Sequence, residues 1–352
     1  TDDKEVETQR NRLMTSLAAG DGEDVIVLSG LDDNALAKKG VLMDLSDIVT
    51  PMEENGELLQ AIVDGEKAAD GKQQILPVRF ALPLLLSKEK RASEMTDLAA
   101  LAKAAEQTDG SLLGTFTGED LVETFAPYFM PDIIKDKQLD TEKLRTVLQE
   151  LQTIAAHSDL IEKHKKGERA SNEWDLPSTM QAALCQISGF NDAMFDLAII
   201  NLVKGDYTSF ENAYIPTVEI GVNANTKQAD LAKEFAAFVM SREVQDGDFY
   251  DGFPVNKESL HMQVNLDRSN YAAYTTIEGA DGQEIGLDIE QIKAADADRL
   301  ETICESLSQK TMQDAKVLEE LKKAVPDYLL GRQSLDDTIS KIQDGVKIYL
   351  AE

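Results

Sequence analysis

Apolar positions along this 352-residue chain recur at two spacings, one near 3.6 residues and one near 2. From Val6, the positions Leu13 and Leu17 with the alanines around them predict a helix that ends at Gly20, a residue suited to a helix C-cap. Val25 to Leu28 is entirely apolar, which predicts a strand buried on both faces of a largely parallel sheet. Directly after it come Ser29-Gly30-Leu31-Asp32-Asp33, at the place where open α/β sheets put their ligand loops. Leu58, Leu59, Ile62 and Val63 form the apolar stripe of an acidic helical stretch between Leu45 and Asp70. Gln74 to Phe80 reads as extended, because Pro77 and the following Pro83 keep it out of helix.

Further along, Met95 to Glu106 predicts a helix capped by Thr96, with Leu98, Leu101 and Ala105 on one face. Ser111 to Phe116 reads as a strand, and Gly118-Glu119-Asp120 leads into a helix carrying Leu121, Val122, Phe125 and Phe129. Leu139 to Ala156 is an amphipathic helix, and Ala182 to Ile187 a strand with Ser188-Gly189-Phe190-Asn191-Asp192 as the loop after it. Phe195 to Val203 is strongly apolar and fits a helix or a strand. Thr275 to Gly286 reads as an acidic, glycine-containing loop, and Asp298 to Leu307, Gln313 to Leu330 and Leu335 to Leu350 as helices.

The most informative stretch runs from Pro216 to Lys257. Thr217, Val218, Ile220 and Val222 predict a strand, Asn-Ala-Asn-Thr a turn, and Leu231, Phe235, Phe238 and Val239 the packed face of a helix starting at Asp230. Gly252 and Pro254 then turn the chain and fix an extended exit.

Composition narrows the function more than the fold. With 65 acidic against 35 basic residues and a formal charge of −30, no basic cluster is present to bind phosphate, which argues against nucleic acid and against an anionic membrane surface as partners. No apolar run reaches the length of a membrane span, and the first residues lack a signal-peptide pattern. Two cysteines, Cys185 and Cys304, give no disulfide framework and no metal or redox motif, and two buried thiols are the expectation. Neither GxSxG, HExxH, the phosphate loop nor the calcium-loop pattern occurs, so no catalytic residue, metal or cofactor is expected. His157 and His164 are expected at the surface, and acid pairs such as Asp32-Asp33 or Glu173 with Asp175 do not by themselves make a glycosidase dyad.

The order of strand, small polar turn, Ala-Lys-Glu-Phe helix, Ser-Arg-Glu-Val-Gln and Gly-Phe-Pro-Val resembles the extracellular solute-binding proteins of ABC importers, which include the maltose-binding proteins. Leu17 to Leu45 and Ile75 to Lys88 are similar to two further segments of that family, in the same order along the chain. The resemblance implies a two-lobe α/β fold of the periplasmic-binding-protein type, with a ligand cleft between lobes joined by crossover strands. Residues 1–80 and 214–267 would form domain I, and 81–213 and 268–352 domain II. The family opens with a strand, a helix and a second strand before the helix that Thr1 to Ala19 resembles, so the resemblance implies that this sequence starts inside domain I, without them. The function implied is capture of a small solute, most readily a carbohydrate, and its delivery to a membrane permease by a monomer outside the cell, lipid-anchored or periplasmic. A ligand sensor for a membrane signalling partner and, behind it, a glycan-active enzyme are the alternatives.

On that reading the solute contacts are Ser29, Asp32, Arg79, Phe80, Trp174, Phe190, Asn191 and Tyr214. Arg79 can grip hydroxyls or a carboxylate with its fork, or pair with some of the surplus acids. Phe80 can stack on a sugar face or fill the seam between lobes, and Trp174, the only tryptophan, can be a stacking platform or a core plug. Ser29, Asp32, Phe190 and Asn191 stand at strand-to-loop positions and can equally start helices. Tyr214 lies beside the second crossover with the same ambiguity. Where the family's first crossover ends in an aromatic-rich Tyr-Asn-Lys-like sequence, this chain has Leu84-Leu85-Leu86-Ser87-Lys88, and aromatic content is 6%, which limits an expected sugar to a small one.

Overall fold

The computed structural model describes residues 3–31, 33–135, 137–178, 180–247 and 251–351. Its organising element is the strand Leu76–Ser87, twelve residues long and buried throughout. Its near half pairs antiparallel with the returning strand Ala213–Val222, from Leu76 opposite Ile220 to Ala81 opposite Ile215. The register shifts on both sides of Arg79, two residues after Pro77, whose missing N–H cannot join the ladder. Its far half pairs with Ala182–Ile187 and with Asp206–Ser209, also antiparallel. Phe253–Pro254 joins beside Arg79 and Phe80, and Gln309–Lys310 lies parallel to the start of the returning strand.

Val25–Val27 closes the other side of the returning strand, with Val25 opposite Val222 and Val27 opposite Ile220. This corrects the expectation of a doubly buried strand in a largely parallel sheet. Among the described residues the strand has one neighbour, to which it is antiparallel, and Val27 is 61% exposed while Ile26 and Leu28 are buried. An all-apolar run hides the alternation that an edge strand normally displays.

Three cores form around this frame. The largest joins Leu45, Leu58, Leu59, Ile62 and Val63 to Phe80, Phe190 and Phe253, and extends to the hairpin Ala273–Glu278 with Glu284–Ile289 and to the helix Ala294–Ser306. A second, helical core is built by Leu98–Ala105, Gly118–Ile133, Thr141–Ala156, Ala315–Leu329 and Leu335–Ala351. A small third core lies under the helix Asp3–Ala18, where Leu17 meets Ile26, Leu28 and Leu36. Leu84 and Leu86 of the long strand face the first core and Leu85 the second, which explains why no polar residue interrupts that segment.

Several predicted elements shift for local reasons. Asp97, not Thr96, caps the helix Leu98–Ala105, its carboxylate accepting from the Ala100 amide at 2.8 Å. Thr117 and Asp120 form a reciprocal capping box at the head of Gly118–Ile133. Thr275 to Gly286 is no loop, since most of it pairs in the hairpin around Gly279 and Gly282. Phe190 and Asn191, expected in a loop, open the helix Phe190–Val203. In the helix Ala229–Met240 the buried positions are Ala232, Ala236 and Met240, while Leu231, Phe235 and Phe238 are 46–62% exposed. The small alanines bring the helix close to the returning strand, and the larger side chains turn outward. Among the described residues no helix is long and apolar enough to cross a membrane. Cys185 and Cys304 are free and buried, as their number predicts.

Candidate functional site

The expected site residues fall into two groups. Arg79, Phe80, Phe190 and Tyr214 are at most 2% exposed, and Asn191 is 8% exposed. Arg79 directs its guanidinium at the carbonyls of Val244, Gln245 and Gly247, at 2.9 to 3.0 Å, and its Nε lies 3.4 Å from Asp251. These carbonyls end the short helix Arg242–Gln245, so the arginine ties that helix end to the crossover strand. Gly252 lets the chain pass: a Cβ there would lie 2.5 Å from Thr217 Oγ1 and 2.8 Å from the Arg79 Cβ.

Phe80 packs on Phe253 with ring centroids 5.7 Å apart, and Phe253 meets Phe190 edge-on at 5.2 Å. Arg268 lies over the Phe190 ring at 5.0 Å and donates from Nε to Asn191 Oδ1 at 3.2 Å. Tyr214 donates its hydroxyl to the Ile62 carbonyl at 3.2 Å, and burial, then the neighbouring Glu66 and Glu219, hold it far above the usual tyrosine range. These five side chains are therefore brought together as the packed seam around the crossover strands, with no open face in this conformation.

Ser29 and Trp174 are accessible. Ser29 is exposed at the end of Val25–Val27 and donates to the Thr217 carbonyl at 3.0 Å, which fixes the strand-end loop against the returning strand. Asp32 lies outside the described residues. Trp174 is half-buried on a short turn, Glu173–Asp175, held by a reciprocal cap between Asn172 and Asp175. Its ring is 6.2 Å from that of Phe195, which is 39% exposed. Behind this pair the Asp196 carboxyl is buried, and burial followed by the charge of Glu173 pushes it up to about 8.

Beside the strand-end loop the structure assembles a charged cluster that no sequence pattern announces. Lys310 places its ammonium against Glu66, 3.0 Å from Glu219 and 3.6 Å from Asp33. One oxygen from each of these three carboxyls lies within 4.8 Å of the others, and the Lys310 side chain is 24% exposed. Burial and then the charge of Glu219 push Glu66 up to about 8, against the pull of Lys310. Burial opposes the Lys310 charge as well, but Glu66, Glu219 and Asp33 outweigh it and raise that group. Asp33 begins the helix after the strand-end loop, Glu66 follows the helix Gln60–Asp64, Glu219 is on the returning strand and Lys310 on the last one. Their separation along the chain leaves no local signal, and only the acidic pair Asp32-Asp33 was legible.

His157 and His164 do not meet: the first bonds the Thr153 carbonyl at 3.0 Å and the second Asp120 at 2.7 Å.

Three solved structures illustrate the likeness of the whole fold. The sugar-binding protein MalE from Xanthomonas citri is 14% identical over 98% of this chain and 88% of its own, with a TM-score of 0.65. A sugar transporter from Rhizobium etli in an open conformation is 14% identical over 96% and 88%, with a TM-score of 0.60. A sugar transporter from Arthrobacter chlorophenolicus with bound laminaribiose is 13% identical over 96% and 88%, with a TM-score of 0.54. At these identities the likeness speaks for the fold, a mixed α/β periplasmic-binding-protein architecture. A comparison with curated proteins gives no match. The sequence profile described as bacterial extracellular solute-binding protein matches residues 5–246, and on that span the chain belongs to the bacterial extracellular solute-binding proteins.

Proposed function

We propose that this protein is the extracellular capture component of an ABC importer, that its solute is a carbohydrate, and that capture proceeds by closure of two lobes about the crossover strands. The observation that carries this reading is the family profile over residues 5–246; the sugar-binding proteins among the similar structures support the solute class. The lobes we assign are 1–80 with 214–267 and 81–213 with 268–352, and the first core crosses their seam through Phe80, Phe253 and Phe190. Ligand bridging both lobes stabilises the closed form, because contacts to the second lobe exist only when the cleft is shut.

Ser29 and Trp174 are the accessible members of the proposed contact set, together with Asp32. A ring such as Trp174 accepts the C–H face of a sugar, while nearby carboxylates accept its hydroxyls. Arg79, Phe80, Phe190, Asn191 and Tyr214 belong to the frame that opening of the lobes would uncover. The surplus of acids around Lys310 disfavours a strongly anionic solute at that end of the cleft. Delivery to a permease by a monomer is tested by reconstituting uptake with the purified protein and its cognate membrane partner. Stimulation of uptake supports the reading, and a partner that signals on solute addition without transporting it supports the sensor alternative.

A further inference from the structure

Gln309 and Lys310 are adjacent in sequence and reach in opposite directions. Gln309 Nε2 donates to the Tyr128 carbonyl at 3.1 Å, on a helix of the second core. Lys310 goes to Glu66 after the helix Gln60–Asp64, Glu219 on the returning strand and Asp33 at the head of a helix, all around the first and third cores. The backbone beside them repeats the division. The Thr311 amide donates to Tyr214 at 3.0 Å, and the Met312 amide donates to Pro127 at 2.9 Å. A segment of four residues thus holds the crossover strand with one hand and the helical core with the other.

Charge explains why a lysine stands there. Three carboxyls face one ammonium, and Glu66 Oε1 is buried with no hydrogen-bond partner. Without the ammonium these groups would repel one another in a site that water reaches poorly, and a flexible lysine stem is suited to serve three acceptors at once. The other groups at the site are already engaged. Asp64 accepts from Lys67 at 2.5 Å and from Gln60 at 3.0 Å, and Tyr214 donates to the Ile62 carbonyl. The proton that Glu66 holds near neutral pH reduces the surplus charge further.

We propose that Lys310 is a positioning residue that pins the hinge, fixing the returning strand Ala213–Val222 and the segment 309–312 relative to the helical core. The proposal rests on the two-lobe solute-binding reading, but its test uses no solute, so a failed search for a sugar leaves it standing and a failed pin leaves the solute reading standing. Hydrogen exchange and solution scattering are measured on the solute-free protein, as wild type, Lys310→Met, Lys310→Arg and Glu66→Gln. In Lys310→Met the amides of 213–219 and 309–312 exchange on the order of tenfold faster or more, the radius of gyration rises, and the helices Thr141–Ala156 and Leu335–Ala351 keep their protection. Lys310→Arg, which keeps the charge, restores most of the protection. Wild-type exchange and scattering in Lys310→Met overturn the proposal, and so does a uniform loss of protection across all helices. Should Lys310→Met not fold, Glu66→Gln decides. It keeps the shape and Lys310's other two partners, so the protection of 213–219, taken as exchange relative to the intrinsic rate at each pH, no longer changes between about pH 6 and about pH 9 as it does in the wild type. An unchanged dependence overturns the pin.

Discussion

Phe190 meets Phe253 edge to face, with ring centroids 5.2 Å apart and both rings within 2% of complete burial. On the proposed division these two residues belong to different lobes, so aromatic packing closes this part of the seam, beside the ion pairs of Lys310 with Glu66, Glu219 and Asp33. Phe190→Ala removes the ring from that seam and from beneath Arg268. The expected loss is about 3 to 5 kcal/mol of folding stability, read as a fall in the denaturant midpoint with an unchanged slope. A loss below about 1 kcal/mol is the outcome of a seam that collapses readily around the gap.

Arg79 separates a structural from a ligand-gripping role. It donates to Val244, Gln245 and Gly247 at once, and a lysine in its place has no planar fork to span them. Arg79→Lys costs about 1 to 3 kcal/mol in thermal or chemical unfolding of the solute-free protein, because buried carbonyls lose their donors. A stable variant with weakened solute binding would instead assign the arginine to the ligand.

Much of this was legible in local sequence and some was not. Ala182–Ile187 was read at its observed bounds, and the helices of the second core within a few residues, because their apolar spacing and polar caps agree with the packing they enter. The helix Ala229–Met240 was read correctly as an element, but its buried face was taken to be its largest side chains. The packing chose Ala232 and Ala236 for closeness to the strand, a tertiary preference that hydrophobicity does not encode. The hairpin at Thr275 looked like a loop because glycines and acids crowd its turn and Glu278, Glu284 and Asp288 lie among its exposed positions. The cluster of Asp33, Glu66, Glu219 and Lys310 arises only when the crossover strands bring distant segments together.

Buried carboxyls set the response to pH. Burial, followed by Glu219 for Glu66 and by Glu173 for Asp196, raises both to about 8, and burial raises Glu211 to about 7. The folded state therefore holds protons that the unfolded chain releases, and this stability is lost as pH rises from the ordinary carboxylate range through about 8. Each such proton changes stability by about 1.4 kcal/mol per pH unit within its window. Asp120 acts the other way. Burial opposes its charge, but hydrogen bonds from Thr117 and His164 prevail and lower it, so its contribution fades as pH falls below the carboxylate range. Unfolding temperature should peak near about pH 5 and decline toward pH 8; a rise toward pH 8 would contradict the burial of these groups.

Because Trp174 is the only tryptophan, its emission reports one place in the molecule. Its half-buried position beside the exposed Phe195 predicts a shift or quench when solute enters, and Trp174→Phe weakens binding roughly threefold to tenfold. Titration with a bound solute that leaves the emission unchanged would place the contact surface elsewhere.

Thermal unfolding against a panel of mono- and oligosaccharides, amino acids, polyamines and phosphorylated sugars tests the central claim most directly. A solute that binds only the folded state adds about 2.7 kcal/mol of stability at a hundredfold excess over its Kd. The account predicts a raised midpoint with one class of small neutral sugar and no shift with phosphorylated ones. A shift with amino acids or polyamines and none with any sugar would contradict it.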